Sequence, residues 1–193
     1  MGRKRKRRGG KGKILFFLIL VGAAASIFFL LRQEIFHLAG PWLEKKGVLR
    51  EKREVTLYFS DPESEYLTGE KRAILKRPDI EEEAEEMIEE LIKGPKRKLI
   101  STLPPQTKLL SFQLDERGIA KPNFNKILSK SHPGGSSAEM MTVYSVVNSL
   151  TFNFPEIKGV QFLVEGKEIE TIAGHLSLRQ PISSKPDLIK KLR

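Results

Sequence analysis

The 193-residue sequence contains no cysteine. That absence excludes disulfides, thiol nucleophiles, thiolate metal sites and a lipidated cysteine together. Histidine is nearly as scarce. His37, His132 and His175 are too few and too scattered for zinc-ligand spacing, so no metal site is expected. No cofactor-binding motif is present either. Acidic residues are missing from the first 13 positions, which hold Arg3, Lys4, Arg5, Lys6, Arg7, Arg8, Lys11 and Lys13 beside glycine and methionine. Without disulfides, an exported domain must be held by its core, and about 125 residues suffice for one such core.

Behind the basic tail lies ILFFLILVGAAASIFFLL, residues 14–31, without a single charge. As a helix this run spans about 27 Å, close to the hydrocarbon thickness of a bilayer. Basic residues flanking a spanning helix favour the cytoplasmic side. The expectation is a single-pass anchor in the cytoplasmic membrane, N-terminus inside, with everything after residue 31 extracytoplasmic. A cleaved signal peptide is the rival, because Ala23-Ala24-Ala25 resembles a cleavage site. The apolar run continues through Ile27, Phe28, Phe29, Leu30 and Leu31, which favours the anchor. A mature N-terminus near Ser26 would decide for cleavage.

The net charge of +10 invites a nucleic-acid reading, but its distribution removes it. Eight of the positive charges belong to the tail, and residues 32–54 carry six basic against four acidic residues. Residues 55–193 hold 20 of each sign and offer no basic face for a phosphate backbone. No nucleic-acid partner is expected. The tail reads as a topology signal and a contact for anionic lipid heads.

The chain then divides into a basic cytoplasmic tail (1–13), a transmembrane helix (14–31), a juxtamembrane linker (32–54), a folded domain (55–182) and a flexible C-terminal tail (183–193). Val55 to Phe59 has strand composition, and Asp61-Pro62 and Thr68-Gly69 read as turns. Asp79 to Ile92 shows apolar residues three and four apart, with Asp79 as N-cap, Glu82 closing a capping box and Gly94 ending the helix. Its seven glutamates (Glu81, Glu82, Glu83, Glu85, Glu86, Glu89, Glu90) read as a solvated face. Leu109–Leu114 and Ile119–Asn123 read as a hairpin turned at Gly118. A second helix is expected over Ser136–Phe152, with an apolar stripe of Met140, Val143, Tyr144, Val147 and Leu150. Val160–Val164 and Glu168–Ile172 are expected strands about a Gly166 turn. The order predicts an α+β fold: a single small domain with a mostly antiparallel sheet and two helices on one face.

The candidate chemistry gathers at His132, Gly134, Gly135, Ser136 and Ser137. Glycines and hydroxyls at a helix start suit an anion or a sugar, and a serine beside a histidine could serve as a nucleophile. The plainer reading is structural: Gly135 bends the chain, Ser136 caps the helix and Glu139 completes a capping box. The nucleophile elbow G-x-S-x-G is missing, so no enzyme is expected. Asn148 shares a helix face with Tyr144 and, if buried, must find partners; it is expected to tie the helix to a neighbouring loop.

The stretch GGSSAEMMTVYSVVNSLTFNFPEIKGVQFLVEGKEIETIAGHLSL (134–178) resembles the GerM-type sporulation and spore-germination domain, GerMN. VTLYFSD (55–61), LIKGP (91–95) and LPPQTKLLSF (103–112) agree with it. The resemblance implies a small α/β domain similar to ring-building motifs of envelope assemblies, commonly held to a membrane by a lipid or a single helix. It implies no catalytic residues. One copy of the domain instead of two, and a membrane helix in place of a lipidated cysteine, separate this chain from the family pattern. The expected function is a non-enzymatic envelope interaction or scaffolding module, with the bilayer, envelope proteins and self-association as partners. A cell-wall glycan or peptide binder using His132 to Ser137 is the alternative, and a hydrolase the second.

Overall fold

The computed structural model describes residues 51–190 and, ahead of them, Val21, which is helical. The basic tail, the rest of the 14–31 run, linker residues 32–50 and residues 191–193 lie outside the described residues. Among the described residues, no helix is long and apolar enough to cross a membrane.

Alternation of Val55, Leu57 and Phe59, all buried, makes β1 (Lys52–Ser60) a strand with one face inward. It begins at Lys52, so the last linker residues belong to the domain. β1 pairs antiparallel with β2 (Leu67–Leu75) over nine residues, from Lys52 opposite Leu75 to Ser60 opposite Leu67. Asp61 forms the turn: its Oδ1 accepts the amides of Glu65 and Tyr66 at 2.9 and 3.1 Å. The turn expected at Thr68-Gly69 is instead strand, in which Gly69 faces Tyr58. The sequence disguised β2 because two of its inward positions, Glu70 and Arg72, are charged yet 2% and 5% exposed.

α1 (Ile80–Ile92) packs Ala84, Met87, Ile88 and Leu91 into the core. Asp79 caps it by accepting the Glu81 amide at 2.8 Å. Glu82 does not close the expected box; its carboxylate takes the Arg77 guanidinium at 2.9 Å. Gly94 ends the helix at φ +84°, a conformation glycine adopts without strain. Nor are the glutamates simply a solvated face. Glu83 is buried, Glu81 accepts the Leu114 amide at 2.7 Å, Glu86 the Leu75 amide at 3.0 Å, and Glu90 pairs with Arg72 at 3.1 Å.

The remaining strands are short: β3 (Leu109–Ser111), β4 (Ile119–Ala120), β5 (Asn123–Phe124), β6 (Gly159–Val160), β7 (Leu163–Val164) and β8 (Lys167–Glu168). One four-stranded sheet runs β3-β5-β7-β8, and β4 pairs with β6. Among the described residues the expected single, mostly antiparallel sheet is therefore three separate ones, with β5-β7 and β4-β6 parallel. The hairpin turn at Asp115–Gly118 forms. Gly118 has φ +81°, and a Cβ there would lie 2.5 Å from the Glu156 carbonyl oxygen. Glu165 and Gly166, both at positive φ, make the two-residue turn between β7 and β8.

Besides the short α2 (Ile127–Lys130), which sequence periodicity did not reveal, the large helix is α3 (Ser136–Asn153). Its burial departs from the expected stripe: Met141 and Val146 are buried with Val143, Val147 and Leu150, whereas Met140 and Tyr144 are half-buried. Ser145, Ser149 and Asn153, four residues apart, line the outer edge of β1. The amides of Thr56 and Tyr58 donate to Asn153 Oδ1 and Ser149 Oγ, and Ser145 and Asn153 donate to the Tyr58 and Thr56 carbonyls. The helix thus stands in for a third strand along an edge that would otherwise be open.

The segment expected to be a flexible tail from residue 183 is docked as far as Lys190. Ile182 and Val160 exchange backbone hydrogen bonds at 2.9 Å, Leu188 is buried beside Leu67 and Met141, and the Lys190 amide donates to the Leu67 carbonyl. Its serines, prolines and lysines concealed only a few apolar and hydrogen-bonding anchors.

Candidate functional site

Where α3 begins, a groove of about 850 Å³ opens between it, the turn after β1 and the 100–105 segment. Gly134, Gly135, Ser136 and Ser137 line it, so four of the five residues singled out from the sequence share one wall. Facing them are Ser60 and Ser64, and Ile100 to Pro105. Met141 and Thr142 line it from farther along α3. Gly134 and Gly135 have φ of +81° and +84°, with nothing within 4 Å of an added Cβ. It is conformation, not crowding, that requires glycine there.

Ser136 is not the helix cap. Gly135 occupies that position and supplies no side chain, while Ser136 and Ser137 are exposed in the first turn. Glu139 does not complete a capping box either. Its carboxylate is fully buried and turns to the segment 171–176. Oε1 accepts the Thr171 hydroxyl at 2.5 Å and the amides of Ile172 and Ala173 at 2.8 and 2.9 Å. Oε2 accepts the amides of His175 and Leu176 at 2.7 and 3.2 Å. Burial opposes ionisation, but these donors, Thr171 foremost, outweigh it and hold the carboxyl below its usual range. The His175 ring is part of an exposed residue on this loop.

His132 stands behind the glycines. Its Nδ1 accepts the Gly134 amide at 3.0 Å, and its Nε2 lies 3.0 Å from Thr142 Oγ1. With Nδ1 accepting, Nε2 carries the proton. Thr142 in turn donates to the Thr102 carbonyl at 2.5 Å. Burial pushes the His132 pKa down, against the opposing charge of Glu139. Both ring nitrogens are thus committed to shaping the rim, which leaves none directed at Ser136 or Ser137 as a base.

The other residues named for structure lie outside the groove. Asn148, fully buried, donates to the Lys185 carbonyl at 3.1 Å and accepts its amide at 2.9 Å, fastening the C-terminal segment to α3. Asp79 and Gly94 bound α1. Among residues that sequence reasoning missed, Asp61 is 2% exposed and receives Lys190 Nζ at 3.1 Å. Burial opposes its charge; hydrogen bonds from Tyr66, Lys190 and Glu65 reverse the balance and lower its pKa. The Asp-Pro pair marked a turn, but nothing local pointed to a lysine 129 residues away. Among the described residues, no group of three or more His, Asp or Glu side chains could hold a metal ion.

The fold, a small α+β domain with a long hairpin and two substantial helices, is similar to that of GerMN domains. The first GerMN domain of the sporulation protein GerM from Bacillus subtilis is 21% identical and has a TM-score of 0.53, covering 68% of this chain and 97% of that one. The tandem GerMN domains of the same protein give 19% identity and a TM-score of 0.54 over 71% of this chain and 48% of that one. A candidate lipoprotein from Clostridium perfringens is 27% identical, with a TM-score of 0.51 over 72% of this chain and 93% of that one. No curated protein matches. The family described as Germane, sporulation and spore germination, matches residues 56–170, and the chain belongs to it.

Proposed function

We propose that this protein is a membrane-anchored, extracytoplasmic scaffold of the bacterial cell envelope, one that holds protein partners or further copies of itself and catalyses no reaction. The family's link to sporulation and germination gives the setting, and the apolar run with its basic tail gives the anchor. The kinship to a candidate lipoprotein supports the placement outside the cytoplasm. The observation that carries the non-enzymatic reading is the engagement of His132. The histidine four residues before the first candidate serine spends both nitrogens on the fold. A serine nucleophile at Ser136 or Ser137 with His132 as its base would require one of them free for the serine proton.

The test is cross-linking of the tagged full-length protein in membranes, with mass spectrometry of what is captured. Recovery of defined envelope proteins, or of a second copy, is expected. Recovery of nothing beyond background would defeat the scaffold. A protease added outside the cytoplasmic membrane should remove the domain and spare the N-terminal tail; protection of the domain would defeat its placement.

A further inference from the structure

Thirty per cent of the residues of this chain are charged, yet none of the seventeen lining the groove is. Eight of them carry hydroxyls. Three hydroxyls are turned inward: Ser60 donates to the Asp61 carbonyl, Thr102 meets Ser145 at 2.6 Å, and Thr142 bonds to Thr102. The other five, on Ser64, Ser101, Ser131, Ser136 and Ser137, belong to exposed residues. Between them lie the apolar surfaces of Ile100, 44% exposed, and of Pro104, Pro105 and Pro133.

From this lining we infer that the groove is a binding site for a neutral glycan, an oligosaccharide carrying N-acetyl groups. An anion, whether phosphate, nucleotide or acidic polymer, would meet the first amides of α3 but no basic side chain to neutralise it. An extended peptide would need an open backbone edge, and this wall has little of one. Ile100 spends both its amide and its carbonyl on Ser60. The Thr102 carbonyl is taken by Thr142, and the Pro104 carbonyl by Thr107. Pro104, Pro105 and Pro133 have no amide to give. Beside the backbone groups of Ser101 and Leu103 and the first amides of α3, what remains is side-chain hydroxyl, which exchanges hydrogen bonds in either direction with sugar hydroxyls and acetamido groups. The exposed Ile100, Pro105 and Pro133 give the methyl and C–H faces of such a sugar apolar contact. No aromatic residue lines the groove, so the glycan is held without ring stacking.

The rim is built to keep this shape. On one side, Asp61 fixes the turn that carries Ser64; on the other, His132 holds the Gly134 bend. The biological source of the glycan rests on the extracytoplasmic placement proposed above, but binding itself does not.

The experiment uses the full-length protein in detergent micelles, titrated with N,N′,N″-triacetylchitotriose and followed by backbone-amide NMR. Inorganic phosphate and a polyalanine peptide are titrated in parallel. Saturable shifts confined to residues 100–105 and 131–142 are expected with the sugar alone. Ser101→Trp, which fills the groove from an exposed position, should weaken binding by about tenfold or more, whereas Ser177→Trp on the 171–178 segment should not. If Ser101→Trp alters the fold by near-ultraviolet circular dichroism, Ser137→Trp replaces it. No saturable shift, shifts indifferent to the groove substitution, or preference for phosphate or peptide would overturn the assignment. Because the titration needs no membrane topology, its failure would leave the envelope placement standing, and failure of the protease test would leave the glycan site standing.

Discussion

α1 and α3 bury polar groups by different means. α1 is amphipathic, and its carboxylates reach off the helix to fasten neighbouring backbone and guanidinium groups. Glu90 meets Arg72, and Glu83 meets Arg53 at 2.7 Å. α3 is buried nearly all round and turns a stripe of neutral hydroxyls and amides, Ser145, Ser149 and Asn153, to the edge of β1. Its one buried carboxylate, Glu139, is served almost wholly by backbone amides. Charged ties of the first kind depend on protonation and on both partners being present. Neutral ties of the second kind depend on geometry alone. The helix that looks polar therefore has attachments that are sensitive to solution conditions, whereas the apolar-looking one carries a condition-independent seam, with Glu139 as its one titratable tie.

The largest test of this contrast is at Arg72. Its side chain is 3% exposed and pairs with Glu70 at 2.6 Å, with Glu90, and with the Gly94 carbonyl at 2.8 Å. Arg72→Met should cost about 3–5 kcal/mol in urea unfolding, because it strands the Glu70 carboxylate in the interior. Adding Glu70→Gln should recover a good part of that loss; no recovery would mean the pair is not the reason. On the neutral side, Asn148→Leu should cost about 2–3 kcal/mol by leaving the Lys185 amide and carbonyl unpaired. That loss should be the same at low and high salt, and an unchanged midpoint would refute the role.

Acid reaches both helices, because Glu90 on α1 and Glu139 on α3 are each held below the ordinary 4.5. Glu139 and Asp61 have folded pKa values below their ordinary 4.5 and 3.8. The stability each contributes is complete above those unfolded values and is lost as the pH falls through the folded ones. His132 is likewise lowered from 6.5, so its share is complete above that pH and is lost earlier on acidification. The unfolding midpoint should fall in two stages, a modest one beginning near pH 6.5 and a steeper one in the carboxylate range. His132→Gln should remove the first stage; its persistence would assign that stage elsewhere. The smallest effect is expected at Asp79, where Asp79→Ala removes one N-cap bond and should cost about 1 kcal/mol.

Features confined to one stretch of chain were legible from the residues. The cap at Asp79, the stop at Gly94, the turn at Gly118 and the extent of α3 each follow from local hydrogen bonding and periodicity. β2 was hidden because Glu70 and Arg72 occupy inward positions where alternation calls for apolar residues, and only their mutual pairing makes that tolerable. For the site, the residues at the start of α3 were recognisable as a group. Ser64 and Ser101 were not, because they come from a turn and a loop far from it in sequence.

The sequence by itself determined where the two main helices start and stop, that the 134–178 stretch has the family's pattern, and that charge is balanced beyond the linker. These depend on neighbours within a turn or two. Only the tertiary structure decided that Glu139 serves a loop more than thirty residues later, that Lys190 closes on Asp61, and that the C-terminal segment is part of the domain. A buried polar group must be satisfied, but it takes whichever donor the fold brings near, and that choice is made by packing across the whole chain.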